Sequence, residues 1–483
     1  MIRLRHPLLL ATLALASAPA SAQLRFEVVD AALPDGPSGA AGMAWTDVDG
    51  DGRVDVAISG RDSFPSRVFR NVGGRFEPVP LPANRERNAN SAAWGDLDGD
   101  GDPDLVLGQD SLAAYETRLE EGTIRLRPFA DAGVLTTPEH PRGGFEAVAM
   151  GDLDGDGDLD LVAGAYGRAG SFVLQNDGSA KFTLVPRDLF PFQSWMGGAQ
   201  LADLDGDGRA DVLLTGAPVP GFRVGSFLYW NEGADWTADR RTAFAGQAGA
   251  LGASAGDVDG DGDLDLFVAG WRQKTPGALY LNQGGRRFAR APVALPPRVI
   301  GSAFADLDGD GHLDLVVATG YTDVGGIGVW LGDGAGGLRS ADVPGLTDVP
   351  GRYTGLAVVD VDADGRLDVA AASRTDPVRL FRNATAPPGE WLQVELRPTP
   401  GGTAVWGARV IARLEGGPGP RSVVRGIHQQ SGYGGHGDPV AHFGVPPGTR
   451  VAGVTVHWPD GQRTELPAPA PGQRLRVNAP RKR

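Results

Sequence analysis

The 483-residue chain contains no cysteine, so disulfides, thiolate metal sites, a thiol nucleophile and a lipid-modified Cys are all excluded from its chemistry. After residue 22 no stretch approaches the 18 consecutive apolar residues that a membrane-spanning helix needs. G-x-S-x-G, H-E-x-x-H and P-loop motifs are missing. Nor is there a basic surface for nucleic acid: the formal net charge is −15, and the terminal Arg481-Lys-Arg483 reads as a solvated tail. Histidine is scarce, with four of its seven copies (His428, His436, His442 and His457) in the last 57 residues.

What the chain has instead is aspartate in a fixed register. The pattern D-x-D-x-D-G-x-x-D begins at Asp47, Asp96, Asp152, Asp203, Asp257, Asp306 and Asp360, which define loops one to seven. Position 3 is Asp49, Asp98, Asp154, Asp205, Asp259, Asp308 and Asp362. Position 5 is Asp51, Asp100, Asp156, Asp207, Asp261, Asp310 and Asp364, followed each time by Gly. Position 9 is Asp55, Asp104, Asp160, Asp211, Asp265, Asp314 and Asp368. Calcium takes six to eight oxygens at about 2.3 to 2.6 Å and suits short loops of carboxylates with a glycine where the chain turns. The 28 aspartates are therefore candidate ligands for up to seven Ca²⁺ ions.

Position 12 decides against an EF-hand, which needs a bidentate Glu there. The residues at that place are Ile58, Leu107, Ala163, Leu214, Val268, Val317 and Ala371, all apolar. Each loop thus runs into a strand, and neither flank carries a helical period or cap.

The loop starts are spaced by 49, 56, 51, 54, 49 and 54 residues, the mark of a repeat architecture. Each unit reads as four strands: a small-residue strand such as Gly42-Met-Ala-Trp45, the loop, an apolar strand such as Val54 to Ser59, a third strand ending in Asn, and a fourth after a Gly turn. The third-strand ending recurs at Asn71, Asn176, Asn231, Asn282 and Asn383. Four antiparallel strands arranged radially make a propeller blade, so the predicted fold class is all-β, a seven-bladed β-propeller over residues 23–385 with a small β-rich domain over 386–483. The seventh repeat lacks a fourth strand, and residues 24–31 resemble one. They are expected to complete that blade and close the ring, since an open edge invites aggregation. The linker near residues 384–389 is short and contains proline, which predicts a tail domain held against the ring.

Residues 1–22 have the three parts of a secretory signal peptide: basic Arg3, Arg5 and His6, an apolar run, and the cleavage site Ala20-Ser-Ala22. Secretion or export to the periplasm follows as the expectation. Without Arg3 and Arg5 the net charge becomes −17, which seven divalent ions would bring to about −3.

The repeats resemble the FG-GAP and VCBS repeats of integrin α-subunit propellers and bacterial exported proteins. The tail is similar to the ASPIC and UnbV domain through Gly407-Ala-Arg-Val410, Ser431-Gly-Tyr433, Asp438-Pro439, His442-Phe-Gly444 and Val456-His-Trp-Pro-Asp-Gly461. It departs where Ser431-Gly-Tyr-Gly-Gly-His436 stands in place of a more polar run. Together the two regions resemble the cartilage acidic protein family, which implies an extracellular calcium-binding propeller and no particular reaction.

Two functions remain open. The first is a monomeric binding or adhesion module for a protein or polysaccharide, with the insertions Ser111 to Gly122 and Pro218 to Arg223, and with Trp271 to Lys274 and Tyr321 to Asp323, as candidate contact loops. The second is an extracytoplasmic enzyme acting on a glycan or small molecule, on the propeller face or at His428, His436, His442 and Asp438, although those spacings match no standard zinc pattern.

Overall fold

In the computed structural model the residues described are 24–29, 33, 39–61, 64–82, 89–109, 112–129, 144–165, 171–185, 195–217, 226–233, 235–239, 249–271, 275–320, 325–386, 389–417, 422–428 and 433–482. Among them every regular element is a strand. The signal-peptide reading of residues 1–22 and the contact loops at 218–223, 272–274 and 321–323 lie outside the described residues.

The chain folds sheet by sheet. Ala40–Thr46, Asp55–Gly60, Arg67–Val72 and Arg75–Val79 form one antiparallel meander, with the first Asp loop between its first two strands. Six more such sheets follow, each with an Asp loop at the same place. Their innermost strands are Ser91–Gly95, Phe145–Gly151, Trp195–Ala202, Ala253–Gly256, Val299–Ala305 and Tyr353–Val359. Each inner strand touches the next, and Tyr353–Val359 returns to touch Ala40–Thr46. The seventh sheet takes its fourth strand from the other end of the chain: Phe26–Val29 runs antiparallel to Arg379–Asn383, with Phe26 opposite Asn383.

Sequence and packing agree on why the strands differ. The second strand of each sheet is covered on both faces by neighbouring sheets, so Asp55–Gly60 and Asp160–Ala165 are buried at every position and read as continuous apolar runs. The innermost strands are small because they approach one another and the tail closely. A Cβ at Gly42 would fall 2.9 Å from Gly434 Cα and 3.0 Å from Asn90 O.

One sequence expectation is corrected here. Of Ser111 to Gly122, the described residues 112–122 are not an inserted loop, because Leu112–Glu120 is the third strand of the second sheet and pairs with Thr123–Pro128. Its alternating burial, with Tyr115 and Thr117 inward, is ordinary strand patterning in a longer hairpin.

The tail forms two sheets, Val440–Val445/Glu390–Arg397/Gln473–Asn478 and Ser422–Gly426/Arg409–Glu415/Arg450–His457/Arg463–Pro467. Inward residues such as Val410, Ala412 and Leu414 alternate with outward ones. This core continues without a break into the second and third sheets of the ring through Trp406, whose indole nitrogen donates to Trp94 O at 2.8 Å. A two-residue strand, Gly435–His436, leaves the tail and pairs in parallel with Met43 and Ala44 on the innermost strand of the first sheet. It thus adds a tail segment to the ring's inner layer.

The Asp loops and the domain docked on them

All seven loops share one internal scheme. The position-9 carboxylate is buried, and both of its oxygens accept backbone N–H bonds. Asp211 Oδ2 accepts from Leu204 N and Oδ1 from Asn231 N, both at 2.9 Å. The equivalent pairs recur at Asp55, Asp104, Asp160, Asp265, Asp314 and Asp368. Position 9 therefore clasps the loop entrance to the third strand of its own sheet.

Position 1 braces the turn: Asp47 Oδ2 accepts from Gly52 N at 2.8 Å, and Asp96, Asp152, Asp203, Asp306 and Asp360 accept from the matching glycine. Position 5 accepts the N–H two residues on, as Asp51 does from Arg53 N at 2.8 Å. The glycine at position 6 has positive φ throughout, for example 97° at Gly52. Position 4 does as well, a requirement that the sequence reading passed over; it is glycine in six loops and Ala363, with φ 59°, in the seventh.

In loops one to five the carboxylates at positions 1, 3 and 9 each bring an oxygen to within 4.8 Å of the others: Asp47, Asp49 and Asp55; Asp96, Asp98 and Asp104; Asp152, Asp154 and Asp160; Asp203, Asp205 and Asp211; Asp257, Asp259 and Asp265. The position-5 aspartates are not among these triplets. Three carboxylates this close suit a hard divalent cation. Asp47 Oδ1 and Asp257 Oδ1 are also buried with no hydrogen-bond partner, as ligand oxygens would be.

Burial dominates the electrostatics. It pushes Asp55, Asp160, Asp211 and Asp368 up to about 8 and Asp265 to about 7, against the backbone N–H groups that favour the charged form. At position 1 burial raises Asp96 and Asp152 to about 7 and Asp257 and Asp306 to about 6. A cation at the triplet would reverse this by favouring the ionised forms.

The tail domain lies directly on these loops. Arg397 pairs with Asp47 at 2.5 Å in loop one, and Gly401 N donates to Gly99 O in loop two at 3.0 Å. Ala404 N meets Gly157 O in loop three at 2.8 Å, and Arg409 faces Asp203 in loop four at 3.6 Å and Gly262 O in loop five at 2.5 Å. Gly444 N donates to Asp306 Oδ2 in loop six at 2.9 Å, and Gln393 Nε2 to Asp360 Oδ2 in loop seven at 2.8 Å. Every loop is touched. No local sequence signal announces these contacts, which join residues from 33 to 350 positions apart.

The histidines near the end of the chain go to different sheets. His428 Nε2 lies 2.9 Å from Ala255 O, His442 Nε2 lies 2.9 Å from Gly365 O, and His436 sits beside Met43 and Ala44. Burial pushes all three down to about 4, so they are neutral at pH 7. His428 and His442 do share a cavity with Asp306, Asp360 and Asp438, but its volume is about 80 Å³. Pockets for drug-sized ligands begin near ~300 Å³.

The pattern of loops matches a family model for FG-GAP-like repeats over residues 47–107, 152–214, 257–317 and 306–371, spans that take in all seven loops. Residues 399–483 match the ASPIC and UnbV model. The chain is built of FG-GAP-like repeats followed by an ASPIC and UnbV domain. It is similar to cartilage acidic protein 1 of Xenopus tropicalis, 25% identical over 464 residues, covering 89% of this chain and 63% of that protein. Over 115 residues it is 35% identical to the Mus musculus and Homo sapiens proteins of that name, covering 23% of this chain and 17% of each. The FG-GAP chain thus spans less than two thirds of these relatives' length. Among solved structures it is similar to an Agrocybe aegerita lectin described as recognising non-reducing terminal N-acetylglucosamine (19% identity, TM-score 0.42, covering 74% of this chain and 94% of that one). It is also similar to BBS1N in complex with ARL6DN (12% identity, TM-score 0.49, covering 76% and 99%). No helix among the described residues is long and apolar enough to cross a membrane.

Proposed function

We propose that this FG-GAP protein is an exported, monomeric, seven-bladed β-propeller whose loops carry calcium, and that it works as an extracytoplasmic binding or adhesion module for a protein or polysaccharide. The observation that carries this reading is the recurrent triplet of carboxylates, as in Asp203, Asp205 and Asp211, held within 4.8 Å by backbone N–H clasps. Asp47, Asp49, Asp55 and their counterparts would hold the ion, and the ion's charge would favour the ionised carboxylates that burial otherwise opposes. The similarity to cartilage acidic protein 1 supports a place outside the cytoplasm, and the signal-like residues 1–22 support export. Because the tail domain covers the Asp loops, the ligand face falls to the opposite end of the ring.

Metal analysis of purified protein, together with melting curves in calcium and in chelator, tests the first half. About seven calcium ions and a melting temperature that drops on chelation are expected. Fewer than about four ions and indifference to chelator refute it. A panel of glycans and extracellular proteins tests the second half, with turnover measured beside binding. Saturable binding without turnover is the expected result, and turnover of a panel member would favour the enzyme instead.

A further inference from the structure

The asparagine that ends the third strand connects neighbouring loops. Asn231 N donates to Asp211 Oδ1 in its own loop, while Asn231 Nδ2 donates to Leu153 O, the position-2 carbonyl of loop three, at 2.8 Å. Leu153 N in turn donates to Asp160 Oδ2. One position-9 carboxylate is thereby wired to the next through a single side chain and the backbone of one residue. The same bridge runs from Asn282 to Leu204 O at 2.7 Å, from Asn176 to Leu97 O at 2.8 Å, from Asn71 to Val361 O at 3.0 Å and from Asn383 to Leu307 O at 3.1 Å.

Two sheets lack it. In the second sheet the place belongs to Thr117, whose N–H still serves Asp104 but whose hydroxyl donates to Pro103 O within its own loop at 2.6 Å. In the sixth it belongs to Gly332, which serves Asp314 through its N–H and has no side chain; a Cβ there would fall 2.2 Å from Leu313 O. Across the first of these boundaries Trp94 Nε1 donates to Ala44 O, which joins strands; at the second the tail's Arg425 donates to Gly311 O in loop six and faces Asp257 in loop five, outside the chain of bonds that links one position-9 carboxylate to the next. The relay is therefore cut between loops one and two and between loops five and six.

We propose that the loops take up calcium in two cooperative arcs, loops six, seven and one together and loops two to five together, with the five asparagines as the positioning residues that couple them. This rests on the calcium reading above. Binding an ion fixes the position-9 carboxylate, which fixes the asparagine clasped to it and, through Nδ2, the entrance of the preceding loop, so the next ion meets a loop already ordered.

The test is native mass spectrometry of the full chain titrated with calcium alone. Wild-type protein should pass from the metal-free form mainly through species with three and four ions to seven. Asn231→Thr, which installs the residue the second sheet already tolerates, should split the larger arc and raise a two-ion species. Thr117→Asn should join the arcs and deplete the three- and four-ion species in favour of seven. A ladder of one to seven ions in statistical proportions, or a single step from none to seven in wild-type protein, overturns the arcs while leaving the calcium reading intact. Absence of any bound calcium overturns both.

Discussion

Replacing position 9 and replacing position 5 of the same loop should differ in the absence of metal and cost the same ion in its presence. Asp211 is fully buried and accepts Leu204 N and Asn231 N, both inside the sheet. Asp211→Ala removes both acceptors, and each buried donor left unsatisfied costs about 1–3 kcal/mol, so the change should cost about 2–6 kcal/mol before relief of the buried carboxyl is counted. Asp207, by contrast, is exposed; it accepts Arg209 N at 2.9 Å and pairs with the Arg209 side chain. Such surface interactions are worth about 0–1 kcal/mol. In chelator, therefore, Asp211→Ala should lower the melting temperature clearly and Asp207→Ala hardly at all. In calcium each should release one ion and lose the stabilisation it gave, about 2.7 kcal/mol if calcium is at a hundred times its Kd. The assay is a melting curve with metal analysis in each condition. If Asp211→Ala melts with wild-type protein in chelator, the clasp is not structural. If Asp207→Ala keeps its full complement of calcium, position 5 is not a ligand.

Two further outcomes follow from single residues. Ala363 holds position 4 of loop seven at φ 59°, where the other loops have glycine, so Ala363→Gly should raise stability by about 1 kcal/mol in a denaturant titration, and an unchanged midpoint would refute the strain. His436 is 2% exposed, neither ring nitrogen has a partner, and burial pushes it down to about 4. The unfolded imidazole takes up a proton near pH 6.5 while the folded one refuses it until about 4. Stability is thus present above pH 6.5 and lost as pH falls, by about 3 kcal/mol across that window. His436→Leu should lose correspondingly less stability between pH 6.5 and 4, and parallel pH curves for the two proteins would show that the imidazole is not buried as described.

The parts of this molecule legible in its sequence are those fixed by local geometry. A carboxylate triplet needs Asp at positions 1, 3 and 9 of one loop, so Asp203, Asp205 and Asp211 announce themselves without a fold. The third-strand asparagines were visible as a repeated ending but not as bridges, because Asn231 reaches Leu153 O across a sheet boundary and 78 residues of chain. The same limit hid the docking of the tail. It applies to the histidines as well: His428, His436 and His442 are close in sequence, yet they meet Ala255, Met43–Ala44 and Gly365 of loop seven, and only His428 and His442 line a common cavity with Asp438. Proximity along a strand-rich chain is poor evidence of a site, since successive side chains point to opposite faces and a short turn reverses direction. Proximity within a repeated nine-residue loop is good evidence, since no intervening strand can carry its members apart. The contrast explains why the nine-residue Asp loops could be located from sequence, whereas the tail as the element that touches all seven emerges only when the ring is closed beneath it.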